Sequence, residues 1–477
     1  MAHTTPTASA DSNKTPVITH TRWSAVVTLA LATLIIASEL TLSAFALPLI
    51  SAELKMPSSA TAWVLLSFTL PLIAIAIPAG RWADRADVRR VFLLSLFGFG
   101  LFSILVSLAS SFAMLMTARV LQGLAASFYL AVYMPVVATT VKPAQRGQAI
   151  AIISSIMMLG SVALAPLGGL VAEHWGWRAV FLIKLPLIGL VLALGFHTLR
   201  SAAPAPRPAL PAITRTMLLE GLLIGAAMTA LLIGIEQLQE QPSFAAGLTI
   251  LALGLLVAWA RLGSARPVVC LLMQPRFGLP ALALMLIAAN IGLMAFSLPF
   301  FVAEVMQRSP EVLSYAMLGF VVASAVMSPI AGMFADRFGA LNVAAIGALL
   351  TTAGLLTLAT LTAEATTLDL VWRAAVAGIG MAIFNAPVMS AILESTPRDQ
   401  TGTASGVASV TRMAGSTLGP ALAAFAWSSS GGGVAGVRTG VIMLSTLAFM
   451  GFLALLIAQR RPVSPSIATT APATETE

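Results

Sequence analysis

The chain has 477 residues, of which 58% are hydrophobic and only 9% are charged, whereas an ordinary soluble domain carries about 25% charged residues. So apolar a chain would aggregate in water, which excludes a soluble protein and makes lipid the solvent for most of its surface. The formal net charge of +8 would suit nucleic acid. The basic residues lie in short loops between apolar stretches, however, which indicates membrane topology and no nucleic-acid partner.

The two ends of the chain are polar. Residues 1–21 are rich in Thr and Ser and lack the apolar core of a signal peptide, so we predict a disordered cytoplasmic tail and an uncleaved first span. Residues 461–477 are rich in Pro, Thr and Ala and predict a second disordered tail. The single cysteine, Cys270, excludes an internal disulfide and falls in a predicted cytoplasmic loop.

A bilayer core requires about 20 apolar residues per helix, and the sequence predicts an all-α membrane protein with fourteen such stretches. The seventh and eighth are the least distinct, and the alternative for them is a tight hairpin that does not span fully. In chain order the stretches are 23–50, 62–79, 91–111, 113–141, 149–171, 179–199, 217–235, 244–260, 278–302, 315–333, 341–361, 370–392, 402–426 and 439–458.

Lysine and arginine give the orientation. With the N-terminus inside, most of them fall in cytoplasmic segments, and only Lys55, Arg178, Arg308 and Arg438 fall outside. Basic residues collect on the cytoplasmic side of membrane proteins. We therefore predict a multi-pass protein of the inner (plasma) membrane with both termini in the cytoplasm.

The sequence repeats itself. Residues 80–85 (GRWADR) follow the second stretch, and residues 332–337 (GMFADR) follow the tenth. Arg119 has a counterpart in Arg373, and Pro166 has one in Pro420, at nearly the same sequence offset as that between the two six-residue segments. Two parallel halves imply a binding cavity between them near mid-membrane. The predicted organisation is a six-helix bundle at 22–200, a linker with two extra helices at 201–266, and a pseudo-symmetric six-helix bundle at 267–460.

Several of these segments resemble the major facilitator superfamily. Residues 80–90 resemble its loop signature G-x-x-x-D-R-x-G-R-R/K, with Asp87 in place of the second glycine. Arg119, Gln122 and Gly123 resemble a second signature, R-x-x-Q-G. Residues 39–48 are similar to the D-x-T-x-x-x-x-A-L-P pattern of the fourteen-span drug–proton antiporter branch, with Glu39 for Asp.

The resemblance implies a conformational latch at the cytoplasmic ends of the helices, where carboxylates and arginines can pair with each other and with helix termini. The alternative is an ordinary solvated basic loop. The predicted latch residues are Gly80, Asp84, Arg85, Arg89, Arg90, Arg146, Asp336 and Arg337.

A third family signature, the antiporter motif G-x-x-x-G-P-x-x-G-G, is degraded in the fifth stretch, where Ser161 and Ala165 replace glycines. This departure weakens the prediction of export. The residues that remain predict close helix packing; they are Pro166, Gly168 and Gly169, with Gly415, Gly419 and Pro420 in the thirteenth stretch.

Ionisable residues inside predicted spans are expensive and therefore point to function. Glu39 and Arg119 lie at similar depth, and we predict that they face one cavity, where Glu39 carries protons and Arg119 tunes it or holds an anionic group. The alternative is a purely structural ion pair. Arg412, Asn290 and Asn385 are further candidates for lining a substrate cavity. Lys184, in the sixth stretch, is left unassigned.

The chain has no G-x-x-x-x-G-K-[ST] loop and no metal-ligand or Ser/His/Asp pattern, which predicts no enzyme, no cofactor and no metal. The predicted function is proton-coupled export of amphipathic or cationic drugs and other small organic compounds by a monomer. The alternative is proton-coupled uptake of a small metabolite, vitamin or organic acid. A non-transporting receptor is disfavoured, because no long soluble segment is present.

Overall fold

A computed structural model describes residues 20–55, 58–199, 210–238, 240–308 and 310–461, and every regular element among them is helical. The predicted disordered tails lie almost wholly outside the described residues. The α-helices are α1 (Trp23–Glu53), α2 (Ser58–Ala83), α3 (Val88–Ser107), α4 (Phe112–Thr140), α5 (Arg146–Leu182), α6 (Leu185–Thr198), α7 (Arg215–Glu236), α8 (Pro242–Ala260), α9 (Arg266–Met273), α10 (Pro275–Ala288), α11 (Leu298–Phe300), α12 (Pro310–Phe338), α13 (Ala340–Leu358), α14 (Thr367–Glu394), α15 (Thr401–Ser429) and α16 (Gly433–Arg460).

Eleven of the described helical segments are long and apolar enough to cross a membrane, or twelve if α9 and α10, which are bent by 89°, form one span. The multi-pass character of the chain is therefore confirmed, whereas the count of fourteen is not. Helix α15 is not among the eleven, because its many Ser, Thr and Gly residues and Arg412 lower its hydropathy. Both α7 and α8 are among them.

Helix α5 breaks at Gly176, between the fifth and sixth predicted stretches, where φ is +78°, a left-handed value that glycine adopts without strain. Two predicted spans depart from simple helices. The stretch predicted at 179–199 is interrupted by a turn at 183–184, between α5 and α6, and the stretch predicted at 278–302 is also interrupted. After α10 it continues through π-helical turns at Leu293–Ser297 and Phe301–Val305 on either side of α11. Such turns are rare and are found frequently at functional sites.

Helices α7 and α8 form a hairpin fastened to the end of α2. The fully buried carboxylate of Glu220 on α7 pairs with Arg81 of α2. Trp259 of α8 donates its indole N–H to the same carboxylate at 3.3 Å, and Trp82 donates to the carbonyl of Pro211 at 2.8 Å. The hairpin is thus joined to the N-terminal half by buried polar contacts as well as by apolar packing.

The two halves meet at the end of the bundle that carries the loops 84–87, 141–145 and 395–400, which we call the basic face. There α2 packs on α15, and α5 packs on α12. A Cβ atom on Gly80 would lie 2.2 Å from the carbonyl oxygen of Gly402, so only glycine permits this approach. Further in, Ser155 donates to the carbonyl of Ala325 at 3.1 Å, and Ser328 donates to that of Ala151 at 3.0 Å.

The predicted packing residues lie on α5 and α15. A Cβ on Gly415 or on Gly419 would lie 2.0 Å from the carbonyl oxygen of Met285 or Ala289, so α15 touches α10 backbone to backbone. Gly168 is buried on α5, and Pro420 is partly exposed on α15. The side chain of Pro166 and the surroundings of Gly169 lie outside the described residues.

Candidate transport site and latch

Glu39 is the centre of a buried charge cluster. Helix α1 carries it near its midpoint, and its carboxylate pairs with Arg119 of α4 and with Lys184, just before α6. Glu39 and Arg119 are fully buried, and Lys184 is only 5% exposed. The structure therefore brings together the two residues whose depth the sequence matched, and it adds the lysine that the sequence left unassigned.

Polar neighbours orient the cluster. Ser43, one helical turn from Glu39, donates to the carboxylate at 3.1 Å, and Gln122 donates to its other oxygen at 3.2 Å. Arg119 donates to the side-chain oxygen of Gln122 at 2.9 Å and to the carbonyl of Val64 at 3.1 Å. These bonds hold the carboxylate and the guanidinium in one geometry, as a buried charge pair requires.

Aromatic rings enclose both cations. The guanidinium of Arg119 lies 5.0 Å from the ring centre of Phe68 and 5.6 Å from that of Phe181. The ammonium of Lys184 lies 5.4 Å from the ring centres of Phe99 and Phe181. Cations are attracted to ring faces, and the attraction is stronger where water is excluded. The rings thus stabilise positive charge that one carboxylate alone does not balance.

The cluster lies inside the N-terminal half. Among the described residues, its hydrogen-bond, ion-pair and ring contacts all come from α1 to α6 or from the turn before α6. A small cavity of about 60 Å³ borders Lys184 and the α1 residues Ser38 and Leu42. Glu39 and Arg119 are therefore sealed from solvent within the N-terminal half in this conformation, whereas the sequence led us to expect that they face a cavity between the halves.

Arg412 lies on α15, beside the N-terminal half. One of its amino groups lies 3.5 Å from the sulfur of Met389 on α14, and its Nε has no hydrogen-bond partner among the described residues. Tyr133 of α4 is close enough to interact with its charge. Arg412 is not brought to Glu39.

The two predicted asparagines have different surroundings. Asn290 is only 8% exposed, at the break between α10 and the first π-helical turn, and neither polar atom of its side chain has a partner among the described residues. Asn385 is partly exposed on α14. It precedes Met389 by one helical turn, which places it on the same face of α14.

The latch carboxylates cap helices of the opposite half. Asp84 accepts hydrogen bonds from the backbone N–H of Gly402 at 2.6 Å and of Thr403 at 2.9 Å, and from the Thr403 hydroxyl at 2.6 Å. These donors form the first turn of α15. Unpaired N–H groups and the helix dipole attract negative charge there.

Asp336 makes the corresponding contact in the other direction. It accepts from the backbone N–H of Gly147 at 2.8 Å and of Gln148 at 2.9 Å, in the first turn of α5. Each half thus contributes one carboxylate to the helix N-terminus of the other. Burial raises the pKa of Asp84 to about 6, although its three donors favour the ionised form and oppose the shift.

The latch arginines stay within their own half or face solvent. Arg89 donates to the carbonyl of Phe196 at 2.6 Å and lies over its ring. Arg146 donates to the carbonyl of Ala138 at 3.1 Å. The exposed arginines of the predicted set are Arg85, Arg90 and Arg337.

The profile of the Major Facilitator Superfamily matches this chain over residues 29–302 and 281–475. The chain belongs to the major facilitator superfamily. It is therefore a membrane transporter by family, and the likeness stated from its motifs is confirmed at that level.

Similar proteins and solved structures agree with this family assignment. The riboflavin transporter RibZ of Clostridioides difficile is 26% identical over 357 residues, which are 74% of this chain and 77% of RibZ. The multidrug resistance protein Stp of Mycobacterium tuberculosis is 28% identical over 380 residues, 78% of this chain and 70% of Stp. The structure of the fucose:proton symporter FucP of Escherichia coli has a TM-score of 0.64 at 13% identity, covers 92% and 99% of the two chains, and shares the fold.

Two residues of buried ion pairs have no role predicted from the sequence. Lys184 is a cation inside an apolar stretch, but nothing in the sequence shows which way it points. Glu220 lies six residues into α7 and was not singled out, although an acidic residue inside a span is itself a signal.

Proposed function

We propose that this member of the superfamily is a proton-coupled secondary transporter of small organic compounds that works by alternating access. The observation that supports it most is the reciprocal capping at the basic face, where Asp84 and Asp336 each bind the opposite half. Such a contact breaks as a unit when the halves separate. It therefore suits a gate with two states.

The conformation fits a transporter that is closed at the basic face. Helix α15 is buried from Thr401 to Ser409, where it packs on the N-terminal half, and most of its residues from Val410 onward are partly exposed. We infer that the halves separate beyond this point, away from the basic face. If that face is cytoplasmic, as the basic loops predict, this is the outward-open state.

Proton coupling is assigned to the Glu39 cluster. Protonation of Glu39 would neutralise the one carboxylate that holds Arg119 and Lys184 and leave two like charges buried together. A buried charge without its partner is strongly destabilised. Proton binding would therefore favour a rearrangement of α1, α4 and the start of α6. An inward proton supplies about 2.3 kcal/mol per 100 mV of membrane potential, in addition to any pH gradient.

The direction of transport has two candidates. Export is supported by relatives such as Stp, whose name describes multidrug resistance. Uptake of a metabolite, vitamin or organic acid is supported by the riboflavin transporter RibZ. Export and uptake would both use the fold and the coupling site proposed for this chain. Transport assays separate them, because proton-coupled export accumulates cargo in inverted vesicles with an acidic lumen, whereas proton-coupled uptake accumulates cargo in right-side-out vesicles under an inward proton gradient.

The proposed coupling is tested with purified protein in liposomes that contain a pH-sensitive dye. A panel of neutral, cationic and anionic aromatic compounds is added, and proton movement is recorded. We expect at least one compound to move protons through the wild-type protein and the response to disappear in Glu39→Gln. The matched control is Glu304→Gln, which removes an exposed carboxylate and should leave the response intact. An unchanged response in Glu39→Gln removes Glu39 from the coupling role.

A further inference from the structure

Positive charge exceeds negative charge at the centre of the described spans. One carboxylate, Glu39, lies there with three cations, Arg119, Lys184 and Arg412. Other charges of the described helices either lie close to helix ends, as Glu220 and its partner Arg81 do, or are exposed, as Glu304 is. The imbalance is costly in a low-dielectric interior and therefore calls for a physical explanation.

The Glu39 cluster itself keeps an unused donor. The carboxylate takes both Arg119 and Lys184, while Nη2 of Arg119 has no hydrogen-bond partner among the described residues. The cluster is thus a source of positive potential inside the N-terminal half. Low-dielectric walls carry such a potential into a neighbouring cavity more strongly than water would.

Of these three cations, Arg412 is the one that is partly exposed, whereas Arg119 and Lys184 are buried. It lies where α15 changes from fully buried to mostly part-exposed, at the junction of α15 with α4 and α14. No carboxylate lies within ion-pair distance of it among the described residues. Its nearest side-chain contact is the weakly accepting sulfur of Met389.

Neutral side chains lie close to Arg412 or one helical turn from its contact residue. Tyr133 comes from the opposite half, and Asn385 lies one turn from Met389 on the same face of α14. A hydroxyl, an amide and a guanidinium all donate hydrogen bonds, and the guanidinium fork matches the two oxygens of a carboxylate. The methionine offers an adaptable apolar contact for the rest of a ligand.

We propose that Arg412 binds a carboxylate or similar oxyanion of the transported compound, so that the cargo is an organic anion with an apolar body. This refines the proposed function and rests on it for the transport step. It departs from the cationic cargo that the family resemblance led us to expect. A cation in the same space would meet Arg412 as a like charge, which is repulsive at short range.

The test measures binding to the purified full-length protein without any proton gradient, so it does not depend on coupling. The probes are 2-naphthoate, 2-naphthamide and 2-naphthylmethylammonium, which share one ring system and differ in charge. We expect naphthoate to bind at least about tenfold more tightly than the other two, and Arg412→Gln to remove this preference, since a charge-assisted hydrogen bond contributes roughly one to two factors of ten.

Two further variants make the result decisive. Arg412→Lys keeps the charge without the fork, and we expect naphthoate affinity between those of the wild type and Arg412→Gln. Arg373 is the repeat mate of Arg119, and its guanidinium lies 3.9 Å from the carboxylate of Asp369 near the start of α14. The Arg373→Gln variant should bind naphthoate as the wild type does. Tighter binding of the ammonium probe, or unchanged naphthoate binding by a folded Arg412→Gln, overturns the proposal. Naphthoate binding without proton movement would instead contradict the coupling proposal alone.

Discussion

At the scale of single residues, the Glu39 cluster shows how a protein keeps charges within a span. Two cations share one carboxylate, three aromatic rings cover the cations, and Gln122 and Ser43 complete the hydrogen bonds. The arrangement is asymmetric, because removing the anion leaves two repelling cations, whereas removing one cation leaves a balanced pair. Stability measurements should reveal this asymmetry.

We expect Glu39→Gln to destabilise the purified protein by about 3–5 kcal/mol, the usual cost of stranding a buried charge. Lys184→Met should cost less, since Glu39 keeps Arg119, and the double variant should be more stable than Glu39→Gln alone. Thermal unfolding in detergent at fixed pH measures all three. Equal losses in the two single variants, with no recovery in the double variant, would contradict the charge argument.

The same cluster shows what the sequence predicted and what it did not. The depths of Glu39 and Arg119 followed from counting residues along two apolar stretches that run in opposite directions. Their separation from the central cavity did not follow, because hydropathy indicates that a residue lies in a span but not which face of the helix it occupies. No role for Lys184 followed from the sequence, for the same reason.

At the scale of helices, the latch combines a backbone contact with two helix caps. Gly80 and Gly402 allow α2 and α15 to touch, and this contact brings Asp84 to the first turn of α15. The repeat in the sequence indicated that Asp84 and Asp336 are equivalent. It did not indicate that their partners would be helix N-termini across the interface, because that depends on how the halves dock.

We expect Gly80→Val to prevent closure at the basic face, because its Cβ would lie 2.2 Å from the Gly402 carbonyl oxygen. The control is Gly98→Val, where a Cβ meets only side-chain atoms at 3.6 Å or more. Labels at the exposed positions Ala144 and Asn342, in a Cys270→Ser background, report the distance between the halves. A wild-type distance distribution in Gly80→Val would show that this contact does not control closure.

At the scale of the whole molecule, alternating hydropathy predicted where helices occur, and the internal repeat predicted two equivalent halves. The irregular places were not predicted. The π-helical turns after α10 follow an apolar stretch with no proline break at Asn290, and the low hydropathy of α15 leaves its span unconfirmed. The two features are neighbours, because the first π-helical turn packs on α15.

The orientation of the whole molecule can be tested with its own cysteine. Cys270 is exposed on α9, in a segment predicted to be cytoplasmic. We expect a membrane-impermeant maleimide to label it in inverted vesicles and not in intact cells, with Cys270→Ser as the unlabelled control. Labelling in intact cells would reverse the predicted orientation of the chain.

The buried bond between Glu220 and Arg81 has a mechanical consequence. Since it fastens α7 and α8 to α2, and most of α8 faces outward, these two helices must travel through the bilayer whenever the N-terminal half tilts. The two moving bodies are therefore unequal in bulk. One sweeps aside more lipid than the other, so the work done against the surrounding membrane falls mainly on the N-terminal side.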